Sequence, residues 1–335
     1  MSEFNKNNQN YGRGAALAFN ALSILMFPVM LVGYVIWVGG IMLRRQGSGV
    51  SATAQGPLTV RYTEHNVGTR EDEAANRLLP VVPSVPRLAL QLTSKPLFLA
   101  HRLTGYVPKT FRYPFEGEVA PAVEASARQT FFDEVVRRTL GEIKQFVVLG
   151  AGFDTRAYGL PADLGVRSFE VDTPKTQAVK REMLQKAGVD ASRVTFVAAD
   201  FEKEDWLARL IEAGFDASKP ALFLWEGVTM YLDREAAQAT LRKIAGTSKG
   251  SMVAFDYFTT EPLTSSDLYW RYGRFATKAA GEPLTFGIDS TPPARERLVE
   301  FLESCGLALA EARILGEETN GKRAWGGFAT AVVTK

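Results

Sequence analysis

The chain has very little of the chemistry that most readily marks a metal or redox site: its 335 residues include one cysteine and two histidines. A single thiol permits neither an intrachain disulfide nor a thiolate metal cluster. Cys305 sits in the apolar run Phe301 to Leu309 and reads as a small buried residue. His65 and His101 stand far apart, without metal-ligand spacing, so no metal is expected. The formal net charge is only +2, and no basic stripe alternates with aromatics, which argues against a nucleic-acid partner.

What is present first is a long apolar run. From Gly14 to Leu43 about 30 residues pass without a charge, where a bilayer crossing needs about 20. Arg13 precedes the run, Arg44 and Arg45 close it, and Tyr34 and Trp37 lie toward its end, where interfacial aromatics are common. The pattern predicts one transmembrane helix over residues 14–45, behind a tail of residues 1–13. The alternative is a cleaved signal peptide with a small-residue site at Ala52-Thr53-Ala54, although the run is about twice a usual h-region. Arg44, Arg45 and Arg61 after the run, against Lys6 and Arg13 balanced by Glu3 before it, put the C-terminal domain in the cytoplasm.

Residues 46–118 read as a linker and a basic helical cap. GSGVSATAQGP opens the segment with flexible-linker composition. Between Ala74 and Phe115 come Arg77, Arg87, Lys95, Arg102, Lys109 and Arg112 with no acidic residue, among Leu-rich stretches. Two readings stand: a basic surface on anionic lipid, or helices packed on a globular domain with solvated basic faces.

From residue 144, within an expected domain of residues 119–335, the pattern becomes alternating. QFVVLG (145–150), RSFEVD (167–172), VTFVAAD (194–200), ALFLWEG (221–227) and SMVAFDYF (251–258) are short β-rich runs ending in turn residues. Near-continuous apolar strands belong in a parallel sheet covered on both faces. Helical spacing appears between them at 173–188 and 233–246, so the expected fold is α/β, a Rossmann-like doubly wound sheet. RERLVEFLESCGLAL, ALAEARIL and GGFATAVVTK then suggest a last helix and a C-terminal antiparallel strand pair.

In such a sheet ligands bind beyond the C-terminal strand ends. After the first run Gly150 and Gly152 permit a tight turn and a close approach of backbone to ligand. The sixth position of this GxG loop is Thr155, so the full dinucleotide fingerprint is missing. Asp172 stands about 20 residues beyond Gly152, the spacing of a carboxylate that accepts from ribose hydroxyls, with Glu170 as its rival. Asp200-Phe201 suits an adenine clamp, Asp200 also being readable as a helix N-cap.

QFVVLGAGFDTRAYGL, FEVDTPKTQAVKREML, FLWEGVTMYL and GEPLTFGI resemble the leucine carboxyl methyltransferase family, class I S-adenosylmethionine-dependent methyltransferases, in its bacterial branch. The resemblance covers roughly residues 124–335. It implies S-adenosyl-L-methionine as cofactor, with Arg128 at the methionine carboxylate, Gly150 and Gly152 lining the cofactor and Asp172 on the ribose. It further implies Asp200 and Phe201 around the adenine and Glu226 near the amino group. An arginine and a glutamate are the charges those two ends of methionine require.

Methyl transfer from a sulfonium is an in-line displacement that needs positioning and exclusion of water more than acid-base help. No histidine occurs after residue 101, which favours an acceptor already ionised, or a hydroxyl activated by Asp or Glu, and hence O-methylation. Tyr231 and Tyr269 are candidates for the acceptor pocket, with core packing as their alternative role. The acceptor would be a small molecule, a lipid or a peptide. Two competing classes are an NAD(P)-dependent oxidoreductase, which the missing third glycine disfavours, and a non-catalytic cofactor-binding membrane scaffold.

Overall fold

The structure, a computed structural model, describes residues 11–48, 54–201, 203–316, 318–319 and 321–335. Most of the expected tail 1–13 and the stretch 49–53 of the expected linker lie outside the described residues. The chain divides into two units: Met1–Glu118 with Ala122–Thr130 and Val179–Asp190, and Val119–Pro121 with Phe131–Ala178 and Ala191–Lys335.

The first unit is helical: α1 (Arg13–Ser48), α2 (Gln55–Asn66), α3 (Glu73–Leu78) and α4 (Arg87–Thr104). α1 starts at Arg13 as expected but runs on past Arg44 and Arg45. Its stretch Arg13–Gly40 is long and apolar enough to cross a membrane. α4 packs against it in antiparallel fashion, since Gly40 meets Pro86, Gly33 meets Leu92 and Thr93, and the Phe19 ring lies 5.2 Å from that of Tyr106. Glycine is required at position 33, where a Cβ would fall 2.7 Å from the Leu92 Cβ. The supposed linker composition misleads at its end, because Gln55, Gly56 and Pro57 form the first turn of α2, where a proline costs no hydrogen bond.

Charge is buried in this unit as pairs. Arg61 Nε contacts Asp72 Oδ2 at 2.5 Å and Arg70 Nε contacts Glu64 Oε2 at 2.7 Å, all four side chains being buried. Asp72 also caps α3 by accepting the Ala75 N–H, and Arg70 lies 3.6 Å from the centre of the Tyr113 ring.

α5 (Glu124–Thr139) and α6 (Pro174–Ala187) are divided between the units. The second unit is built on seven strands, β1 (Gln145–Leu149), β2 (Arg167–Asp172), β3 (Val194–Ala198), β4 (Leu222–Trp225), β5 (Met252–Phe258), β6 (Ala308–Leu315) and β7 (Gly326–Val332), ordered β3-β2-β1-β4-β5-β7-β6. The first five are parallel, and β7 runs antiparallel between β5 and β6. The expected doubly wound sheet with a C-terminal antiparallel pair is the observed one. β1 and β4 are buried at every position, as strands covered on both faces must be.

Between and after the strands come α7 (Trp206–Glu212), α8 (Arg234–Ala245), α9 (Glu261–Thr264), α10 (Leu268–Ala279) and α11 (Ala294–Ser304). Side chains of α7, α8 and α11 join Val147, Phe169, Phe223, Trp225 and Phe255 in one core. On the opposite face Phe132 packs against Phe328, ring centres 6.2 Å apart. The reading of Cys305 as a small buried residue holds, since it is buried in the same core.

Phe223 sits near the centre of this core, with the Phe215 and Trp206 rings 5.7 and 6.3 Å away. Phe223→Ala is therefore expected to lower the unfolding free energy by about 3–5 kcal/mol, read as a fall in the urea midpoint at unchanged slope.

Candidate active site at the carboxyl ends of the strands

β1 lies between β2 and β4, so the chain leaves it at the point where strand order reverses, and a crevice opens there in folds of this kind. The loop Gly150 to Arg156 fills that position. Gly150 has φ +63°, and a Cβ on it would lie 2.5 Å from Val228 Cγ2, so glycine is demanded twice, by conformation and by space. The Gly150 and Ala151 N–H groups both donate to the Val171 carbonyl, at 2.8 and 3.1 Å, which ties the loop to the end of β2.

Asp172 is the next link. Its carboxylate accepts the Gly152 N–H at Oδ2 and the Thr173 N–H at Oδ1, both at 2.6 Å. It stays half-buried at the strand end. Glu170, two residues earlier on the same face, is 1% exposed and meets the buried Tyr158 hydroxyl. The two acids thus differ in depth. Glu170 belongs to the interior and Asp172 to the rim.

The chain's most concentrated charge was not apparent in the sequence. Arg156 is buried, yet three carboxylates converge on it: Asp133 from α5 (Nε to Oδ1, 2.5 Å), Asp154 from its own loop, and Glu226 from the end of β4 (Nη1 to Oε2, 2.7 Å). Burial pulls the guanidinium pKa down, but Asp154, Glu226 and Asp133 outweigh it and hold it well above the ordinary value. Arg156 Nη2 is buried and makes no hydrogen bond among the described residues. A DxR pair inside a glycine loop was the only local signal for this cluster.

Beyond β4, the Gly227 N–H donates to Asp256 Oδ1 and the Thr229 hydroxyl to the Asp256 carbonyl, both at 2.6 Å. Asp256, buried on β5, was likewise missed, because in sequence it reads as a polar interruption of an apolar strand. The ends of β2 and β3 meet through the Ala199 N–H, which donates to the Asp172 carbonyl at 2.9 Å. Asp200 comes next and is engaged by Lys203 Nζ at 2.7 Å. Phe201 packs toward the core, its ring 6.0 Å from that of Trp206.

The structure therefore links Gly150, Gly152 and Asp172 directly, joins Glu226 to the same loop through Arg156, and sets Asp200 and Phe201 at the end of the neighbouring strand. Arg128 belongs to the first unit, where it pairs with Glu124 one helical turn away at 3.1 Å. Tyr231 ends a short helical turn, Thr229–Tyr231, just past β4. Tyr269 is half-exposed on α10, with its ring edge-on to Trp270 at 5.0 Å.

The buried charges have two measurable consequences. Arg156→Met removes the guanidinium shared by three desolvated carboxylates and should cost about 3–5 kcal/mol in unfolding free energy. Burial first, and then the charge of Glu170, push the Tyr158 phenol far above its ordinary value of 10.0. The folded state consequently holds a proton that the unfolded chain gives up near pH 10. The associated stability is complete below that pH and is lost as pH rises above it, so Tyr158→Phe should flatten the alkaline limb of a plot of Tm against pH.

Residues 116–245 match the sequence profile described as leucine carboxyl methyltransferase. A protein of Mycolicibacterium smegmatis named as an inferred S-adenosyl-L-methionine-dependent methyltransferase is 33% identical over 162 residues, 48% of this chain and 53% of that protein. A Mycobacterium marinum protein of the same name is 34% identical over 185 residues, 54% of this chain and 58% of its own. The chain thus spans about half the length of the curated relatives it matches. Magnesium protoporphyrin IX methyltransferase from Synechocystis, solved with bound S-adenosylhomocysteine, aligns at a TM-score of 0.40 and 13% identity over 65% of this chain and 90% of that one. That likeness is distant, and the fold assignment rests on the strand order itself. The resemblance read from QFVVLGAGFDTRAYGL and its companion phrases is borne out over residues 116–245, which match the leucine carboxyl methyltransferase profile.

Proposed function

We propose that the chain is an S-adenosyl-L-methionine-dependent methyltransferase that methylates an oxygen, a carboxylate or a hydroxyl, of a small-molecule, lipid or peptide acceptor. The observation that carries the reading is the rim of acids at successive parallel strand ends, with Asp172 hydrogen-bonded to the Gly152 N–H at 2.6 Å and Glu226 beside Arg156. The family match over residues 116–245 supports it.

The residues fit the cofactor on physical grounds. Gly150 (φ +63°) and Gly152 (φ +40°) let the loop turn tightly at the end of β1, where a ligand of such a sheet would lie. Glu226, at the end of β4, carries the charge that a cationic group such as the ammonium would require. Asp172 would accept from the ribose hydroxyls, Asp200 from the adenine amine, Phe201 would cover the base, and Glu226 would face the ammonium. Arg128 is the proposed partner of the methionine carboxylate, and Tyr231 and Tyr269 of the acceptor.

When bound, S-adenosylmethionine supplies an electrophilic methyl group. The chain's own contribution is then to orient the acceptor oxygen in line with that carbon and to keep water out. An acceptor hydroxyl would pass its proton to a carboxylate, whereas an acceptor carboxylate needs no proton transfer. α1 attaches the chain to a membrane, and the methyltransferase unit faces the cytoplasm, where the cofactor is made.

Thermal unfolding of the full chain in detergent tests this reading. S-adenosylmethionine or S-adenosylhomocysteine at a hundredfold excess over its Kd should add about 2.7 kcal/mol, with no effect from NAD and no effect of either sulfur compound on Asp172→Ala. A shift with NAD alone would transfer the assignment to an oxidoreductase.

A further inference from the structure

We infer that α1 does not cross the bilayer but lies along its surface, as the lipid-facing member of an antiparallel pair with α4. This rests on the membrane attachment proposed above and concerns its geometry.

The apolar stretch Arg13–Gly40 is 28 residues, about 42 Å of helix at 1.5 Å per residue, longer than the roughly 30 Å of a hydrocarbon core. Length alone would allow a crossing. The neighbours of α1 exclude it. At its start Tyr11 lies between Arg112, 4.5 Å from the ring centre, and Tyr106, ring centres 5.3 Å apart. Toward its end Gly40 abuts Pro86 and the Ser84 carbonyl. Both ends therefore touch the same folded body, whose segments are joined by the Gln55 to Ser84 and Thr69 to Phe111 hydrogen bonds, both 2.8 Å.

Between those ends α4 runs alongside α1 throughout, so a crossing α1 would take α4 with it. Gln91 and Lys95 of α4 flank the Leu92–Thr93 contact with Gly33 and are exposed. They would stand inside the hydrocarbon, where a charge is costly. The next layer is no better suited. The Phe98 ring of α4 meets Tyr62 of α2 at 5.9 Å, and α2 carries the Arg61–Asp72 and Glu64–Arg70 pairs.

Laid flat, the same arrangement satisfies every group. Apart from its α4 side, α1 exposes Leu17, Ile24, Leu25, Phe27, Val32 and Val35, a surface suited to acyl chains. α4 exposes Arg87, Lys95 and Arg102 together with Leu88, Leu99 and Leu103. Such a stripe of cations and leucines complements anionic headgroups at the acyl boundary. The pair is amphipathic as a unit, with α1 as its apolar face and α4 as its basic one.

Accessibility to a membrane-impermeant maleimide decides the matter. The full chain carrying Cys305→Ser is expressed with Gly12→Cys or, separately, Glu71→Cys, both positions exposed in the first unit, and sealed inside-out membrane vesicles are prepared. The expected result is that both cysteines are in the same state, labelled together before detergent is added. Labelling at one with protection at the other until detergent would establish a crossing and overturn the inference. Recovery of the chain in the soluble fraction would remove the attachment itself. In a second arm, Lys95→Glu with Arg102→Glu should release the chain from the membrane at least fivefold more readily in alkaline carbonate. A crossing helix would be indifferent to that change.

Discussion

Burying Arg156 is the constraint on which the second unit's ligand end depends. Its guanidinium takes carboxylates from α5, from the loop after β1 and from the end of β4, three segments far apart in sequence. None of those acids could be desolvated alone without a penalty of several kcal/mol. One cation offsets them jointly, so the loop's path and the position of Glu226 are fixed by a common charge balance. Asp172 secures the other side of the same loop through the Gly152 N–H.

The sheet's topology explains why these groups converge. With β2 on one side of β1 and β4 on the other, connections leave in opposite directions and part at the end of β1. Residues just past successive strand ends then share one rim, which is how Asp200, Asp172, Gly152 and Glu226 come to follow one another along it. Deeper along the same strands, polar groups serve the scaffold. Glu170 meets Tyr158, and Asp256 holds the Gly227 N–H at 2.6 Å. Two residues along a strand therefore separate an interior acid from one at the rim.

Much of this was legible because strands buried on both faces leave continuous apolar runs. Each run from QFVVLG to GGFATAVVTK contains a strand, and the rim acids are found where those runs stop. The Arg156 cluster was not legible, because hydrophobic periodicity carries no information about which distant acids meet one cation. Asp133 and Arg156 are 23 positions apart on different elements. Pairing within residues 46–118 was hidden for a related reason. Arg61, Glu64, Arg70 and Asp72 are buried there in pairs, and pairing is invisible to composition.

α1 carries the same lesson in reverse. A helix apolar on all sides suggests a crossing, since a helix resting at an interface is expected to show its own polar face. That expectation treats the helix as the unit. Once Gly33 and Gly40 allow α4 to pack closely, the polar face can be supplied by the partner, and α1 has no need of one. Amphipathicity then belongs to the pair, and the sequence pattern of either helix alone describes half of it.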